Sequence, residues 1–137
     1  MSKKIITEGN HPQYIEVNRE EYRLADEDPD GISQHELGAK LDDGKPDCSL
    51  LLMFGKALDA VAEVGTLGAK KYTRGGWQSV ARGIERYTAA LLRHLFKEHY
   101  EDNDPDLGVL HAAQVSWNSL ARLELMIRKR DGDANKS

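Results

Sequence analysis

From Leu50 onward the chain repeats apolar residues at three- and four-residue steps, and two breaks interrupt the pattern, "TRGGWQS" and "EDNDPD". That period lines side chains along one face of a helix, so it constrains the fold more than any other feature. Ala57, Val61, Val64, Gly68 and Tyr72 predict a first helix over about 50–72. The glycines of the first break end it and offer Ser79 as the N-cap of a second. Ile84, Thr88, Leu91 and Leu95 form the core stripe of that second helix, about 80–100. Pro105 cannot continue it, and Asp104 or Asp106 suits the cap of a third helix over about 106–130. The expectation is an all-α bundle in one helical domain, 48–130, with a frayed polar tail, 131–137. Residues 1–47 read differently. They are rich in Asp, Glu, Gly and Pro, and the alternating stretches "KKIIT" and "QYIEVNREEYRL" suggest a short irregular or hairpin extension.

Charge and cysteine usage exclude several classes. With 19 basic against 23 acidic residues the formal charge is −4, which gives no broad basic surface for duplex nucleic acid. The one cysteine, Cys48, cannot form an internal disulfide and has no evident local base, so it reads as structural. No apolar stretch approaches the roughly 20 residues that span a bilayer, and no leader pattern stands at the start. A cytoplasmic protein without a membrane segment is expected. There is no glycine loop ending in Lys-Ser/Thr, no nucleophile elbow, no paired CxxC and no His-Asp dipeptide.

The chemistry-bearing residues concentrate in "RHLFKEHYEDNDPDLGVLH", 93–111. On a helical wheel, Tyr87, His94, Glu98 and Glu101 fall beside a basic strip of Arg86, Arg93 and Lys97. Such a strip is either a solvated flank or a site. Glu98, Glu101 and Asp104, spaced three apart, would supply hard oxygen ligands for Mg²⁺ or Mn²⁺. His111, Gln114 and Asn118 put polar groups into a core-like stripe with Leu107, Ala121 and Leu125, so they form either a buried network or the wall of a polar cavity. Lys70, Lys71 and Arg74, beside Tyr72 and Trp77, suit phosphate neutralisation and base stacking, or simply a lysine-rich helix end. Asp59 and Glu63 share the polar face of the first helix and are either exposed or complete a metal site from a second helix.

The order "DDGKPD", "LLLMFGKALDAVAEVGTLGAKKYTRGGW" and "RYTAALLRHLFKEHYEDNDPDLGVLHAAQVSWN" resembles the phage dATP/dGTP diphosphohydrolase family, itself similar to the MazG-type all-α nucleotide pyrophosphohydrolases. The resemblance covers about 40–126. It rests on Gly44 to Pro46, the Gly-Ala-Lys-Lys-Tyr helix end, the Arg-Tyr and Arg-His pairs, and the Glu, Asp, Gly, His order from Glu101 to His111. Gly76 stands where the pattern leads one to expect Asn, and Gln114 where it leads one to expect His. The resemblance implies a MazG-type bundle, forming homo-oligomers (dimers or tetramers), that cleaves a purine deoxynucleoside triphosphate to monophosphate and pyrophosphate with Mg²⁺ or Mn²⁺. It implies Glu98, Glu101 and Asp104 in catalysis, and these with Asp106 and His111 on the metal. Substrate contacts would come from Lys45, Lys70, Lys71, Tyr72, Trp77, Arg86, Arg93, His94 and Asn118. The competing class is a non-enzymatic phage interaction module that uses Arg86, Arg93 and Lys97 to bind a protein partner.

Overall fold

A computed structural model describes residues 27–134, and the chain divides after Asp47. The hairpin expected within residues 3–24 lies outside the described residues. Residues 27–47 are a series of turns organised by Asp28. Its Oδ1 accepts the backbone N–H of Asp30 at 2.8 Å and of Ile32 at 3.4 Å, and its Oδ2 accepts that of Lys40 at 2.7 Å. The bond from Lys40, joined by the other two, outweighs the desolvation that opposes ionisation and holds the carboxyl below the usual carboxylate range. Gly44 takes the left-handed φ of 68° that the Gly-Lys-Pro turn needs, and Lys45 N–H closes that turn on Asp42 O at 3.1 Å.

The second unit is helical, and no strand forms among the described residues. A 3₁₀ helix, Cys48–Phe54, leads into α1, Gly55–Lys71. A second 3₁₀ turn, Gly76–Ser79, is followed by α2, Gly83–Lys97, and then by α3, His111–Ala134. The three expected helices are present, with different ends. Residues 50–54 are 3₁₀ rather than α, with their side chains exposed, and with no face to bury nothing there selects the 3.6-residue period. Ser79 closes the 3₁₀ turn and is not the cap of α2. Arg82 occupies the N-cap, left-handed at φ 54°, with no side-chain cap bond. Gly83, the first residue of the helix, lies against α3, where a Cβ would stand 2.7 Å from Leu125 Cδ1.

α2 stops at Lys97, short of the expected 100, in a turn where Tyr100 N–H bonds Lys97 O at 3.0 Å. α3 begins at His111 rather than near 106, so Asp104 and Asp106 do not cap it. The residues between close on themselves. Asp104 N–H bonds Val109 O and Gly108 N–H bonds Asp104 O, both at 2.7 Å, while His111 N–H bonds Asp102 O at 2.9 Å. Gly108, at φ 72°, permits the return. At the far end α3 continues to Ala134, past the expected stop at 130. No proline intervenes, Arg128 and Glu124 pair at 2.7 Å one turn apart, and each added residue gains a helical bond.

α3 is the common support: α2 packs along it and α1 against its first half. Val64, Val109 and Ala113 are buried together, with Ala60, Leu67, Leu107 and Trp117 around them. Gly65 is the contact point of α1 and α3, since a Cβ there would meet Trp117 at 2.4 Å. Arg122 Nε donates to Thr88 Oγ1 at 2.8 Å and ties α2 to α3. Leu92 and Phe96 of α2 and Leu120 and Leu123 of α3 remain exposed. No helix among the described residues is long and apolar enough to cross a membrane.

Candidate functional site

The closed loop between α2 and α3 places Asp104 against both helices. His94, on the last turn of α2, and His111, the first residue of α3, bring their Nδ1 atoms to 2.9 Å. His111 has no exposed surface, and its Nε2 meets Glu101 Oε1 at 3.0 Å. A carboxylate beside Nε2 favours the tautomer with the proton on that nitrogen, in which Nδ1 carries the lone pair. The buried Asp104 is held from two sides: Gln114 Nε2 donates to its Oδ2 at 2.6 Å and Asp106 N–H to its Oδ1 at 2.9 Å. One atom each from His94, Asp104 and His111 lies within 4.8 Å of the others.

Local electrostatics fix the charge states. Burial opposes ionisation of Asp104, but the Gln114 amide, the Asp106 N–H and the two imidazoles outweigh it, so its pKa lies below the usual carboxylate range. Burial lowers the pKa of His94, and the His111 ring, with smaller contributions from Lys97 and Arg93, adds to this against the opposing pull of Asp104. An ionised carboxylate beside a neutral imidazole suits a cation better than an anion.

Next to this cluster lies an open cleft of about 1340 Å³ between α1, the second 3₁₀ turn, α2 and the start of α3. Its walls carry Lys70, Lys71, Arg74, Arg86, Arg93 and Lys97 against Asp104 and Asp106, so a protein of net charge −4 has a positive cleft. His94, Gln114 and Asn118 also line it, which opens the cluster to whatever the cleft holds. Asn118 Nδ2 is bonded to Gln114 O at 2.7 Å. Tyr72 is 74% exposed at the rim, with Lys71 Nζ 5.4 Å from its ring centre. Trp77 is more committed: it meets Trp117 edge-on at 6.4 Å and carries the Arg128 guanidinium at 5.7 Å on its ring. Tyr87, whose hydroxyl donates to Trp77 O at 3.2 Å, is pushed to higher pKa by burial.

The residues singled out in the sequence divide into three groups. Lys70, Lys71, Tyr72, Trp77, Arg86, Arg93, His94, Asp104, Asp106 and Asn118 come together at the cleft. Glu101 and His111 stand behind its wall as a bonded pair. Glu98 stays exposed on the turn after Lys97, because the helical spacing that aligned it with Glu101 and Asp104 ends with α2. Lys45 belongs to the 27–47 unit, where its ammonium donates to Leu41 O. Asp59 and Glu63 are exposed on α1 and do not line the cleft. Two roles escape a reading of spacing. His94 faces His111 across 17 residues of chain, and Gln114 acts through Asp104; the buried polar stripe of α3 was the signal available for the second.

A family model described as dATP/dGTP diphosphohydrolase, N-terminal, matches residues 35–135. No curated protein and no solved structure matches the chain.

Proposed function

The chain belongs to the dATP/dGTP diphosphohydrolase family, whose N-terminal domain it matches over most of its length, and from that premise we propose that the cleft binds a purine deoxynucleoside triphosphate and cleaves it between the α and β phosphates. The products are the monophosphate and pyrophosphate. The observation that carries this reading is the charge pattern of the cleft, six cationic side chains around a neutral imidazole and an ionised, hydrogen-bonded Asp104. Arg86, Arg93 and Lys97 stand on the same helix as His94, so a polyphosphate neutralised by them lies next to the cluster. Lys70 and Lys71 neutralise it from the end of α1, and Tyr72 offers an exposed ring to the base.

His94, Asp104 and His111 are the residues that would hold a divalent metal, and their donor set fits one. When bound, such a metal neutralises phosphate charge and makes water a better nucleophile. Glu101 orients His111, and Gln114 fixes the carboxylate of Asp104. Arg86, Arg93 and Lys97, the contacts that a protein partner would need in the competing reading, line a concave wall suited to a small anion. The exposed Leu92, Phe96, Leu120 and Leu123 support assembly of the chain with copies of itself, as a dimer or tetramer, with α2 and α3 at the contact.

Incubating the protein with dGTP or dATP and a divalent metal, and following ³¹P NMR, tests the reaction. Pyrophosphate and monophosphate should appear together from the first time points, and EDTA should stop the reaction. Early orthophosphate with an accumulating diphosphate would show stepwise phosphatase chemistry instead.

A further inference from the structure

The oxygen-rich site expected from the spacing of Glu98, Glu101 and Asp104 would take Mg²⁺ or Mn²⁺. The cluster that the fold builds has a different composition, two imidazole nitrogens and one carboxylate. From this we infer that the His94, Asp104 and His111 site binds a later first-row divalent metal of the Fe²⁺ to Zn²⁺ class in strong preference to Mg²⁺. The inference deepens the proposed function, because it names the cation of that same site.

Four features of the cluster support it. First, the two Nδ1 atoms are 2.9 Å apart. Two nitrogens each about 2.1 Å from one ion, at a right angle, would be about 3 Å apart, so the pair already has the spacing of neighbouring ligands. Second, His111 donates its other nitrogen to Glu101, the carboxylate-to-imidazole arrangement that orients a ligating histidine and keeps its lone pair directed at the metal. Third, Asp104 is itself held by Gln114 and by the Asp106 N–H, so the carboxylate is fixed before an ion arrives. Fourth, the donors come from α2, the closed loop and α3, converging from three directions as a chelating site requires.

Donor chemistry decides which ion. Mg²⁺ is small and hard, keeps its waters, and takes oxygen ligands, whereas imidazole suits the later first-row divalent ions. Two histidines and one carboxylate fill only part of a coordination sphere. Further ligands would have to come from the cleft that His94 and Asp104 line, and phosphate oxygens are groups its cationic walls would attract. The alternative for the same geometry is a plain hydrogen bond between two neutral imidazoles, His94 Nδ1–H to His111 Nδ1, with no ion.

The test uses the full chain, stripped with EDTA, and Co²⁺ as the probe in the absence of nucleotide. Calorimetry and the visible absorption of Co²⁺ should report one bound ion per chain that millimolar Mg²⁺ does not displace. His94→Ala should weaken Co²⁺ binding by at least about 100-fold, and Glu101→Gln by about 10- to 100-fold, with the helical circular dichroism unchanged. Should His94→Ala fail to fold, ¹⁵N resonances of the histidine Nδ1 atoms in the wild-type chain replace it: addition of Zn²⁺ should shift those of His94 and His111. Co²⁺ binding no tighter than Mg²⁺ binding, or a folded His94→Ala that binds Co²⁺ as the wild type does, overturns the inference in favour of the hydrogen-bonded pair. Tight Co²⁺ binding at these residues without pyrophosphate release from any nucleotide would leave the metal site standing and remove the proposed function.

Discussion

Asp28 and Asp104 are both buried aspartates that organise a loop by accepting main-chain N–H groups, and both are held more acidic than usual. What surrounds them differs. Asp28 distributes its two oxygens over the N–H groups of Asp30, Ile32 and Lys40, and its side chain makes no other hydrogen bond among the described residues. Asp104 takes one main-chain N–H and one side-chain amide, and faces two imidazoles beside a positive cleft. The first spends its charge on shaping its own turn. The second keeps accepting capacity for something outside the chain. Burial and a lowered pKa therefore do not mark a site by themselves; the unfilled lone pairs and the side chains that converge on them do.

The largest expected effect that sharpens this contrast is that of Asp104→Asn. It should lower kcat/KM for a purine deoxynucleoside triphosphate by at least about 100-fold, the scale of losing an interaction at a metal site, with the helical content retained. Full activity in a folded Asp104→Asn protein would place Asp104 with Asp28 as a loop organiser. Glu101→Gln comes next, because it keeps the shape and the bond to His111 while removing the charge. The metal concentration needed for half-maximal rate should rise by about 10- to 100-fold.

Gln114→Ala leaves Asp104 with a single donor. It should lower the unfolding free energy by about 1–3 kcal/mol, measured by urea titration, the range for leaving a buried polar group unpaired. Acid titration separates the two carboxylates from the imidazole. Each aspartate has a folded-state pKa below its unfolded value, so its stabilising contribution is present above about pH 4 and lost as the pH falls through the lower folded value. His94 has the same sign: it binds its proton less readily in the folded chain, so its contribution is present above about pH 6.5 and is lost as the pH falls below that. The urea midpoint should decline in two stages on acidification, and His94→Gln should remove the upper one. The smallest effect on turnover is expected for Asp28→Asn, which should loosen the 27–47 turns and leave kcat unchanged. A loss of kcat in that variant would erase the distinction between the two aspartates.

The helices were legible in the sequence because burial of one face imposes a period; Val61, Val64 and Ala121 are buried as their spacing implies, while Ala57, Tyr72 and Leu95 of the expected stripes stay exposed at the ends of α1 and α2. Their ends were not, because ends are set by close approaches that no period encodes. α2 starts after a left-handed Arg82, at a glycine packed on Leu125, and α3 starts where the self-closing loop from Asp102 to His111 ends. The same limit explains the site. A three-residue spacing places Glu98, Glu101 and Asp104 together only while the backbone stays helical, and it ceases to be helical at Lys97. Polar residues in an apolar stripe were a firmer signal. His111, Gln114 and Asn118 had to find partners, and each is buried with one.

His94, Asp104 and His111 lie within a single run of 18 residues, closed by main-chain bonds between two helices that already touch. Such a segment has low contact order, and closing so short a loop loses little chain entropy. The hairpin of α2 and α3 can therefore assemble before α1 docks on Trp117, with the donors in place at that stage. An ion captured then would act as a fastener on a folding nucleus, raising the refolding rate as well as the final stability, and stopped-flow refolding with and without Co²⁺ would read the difference.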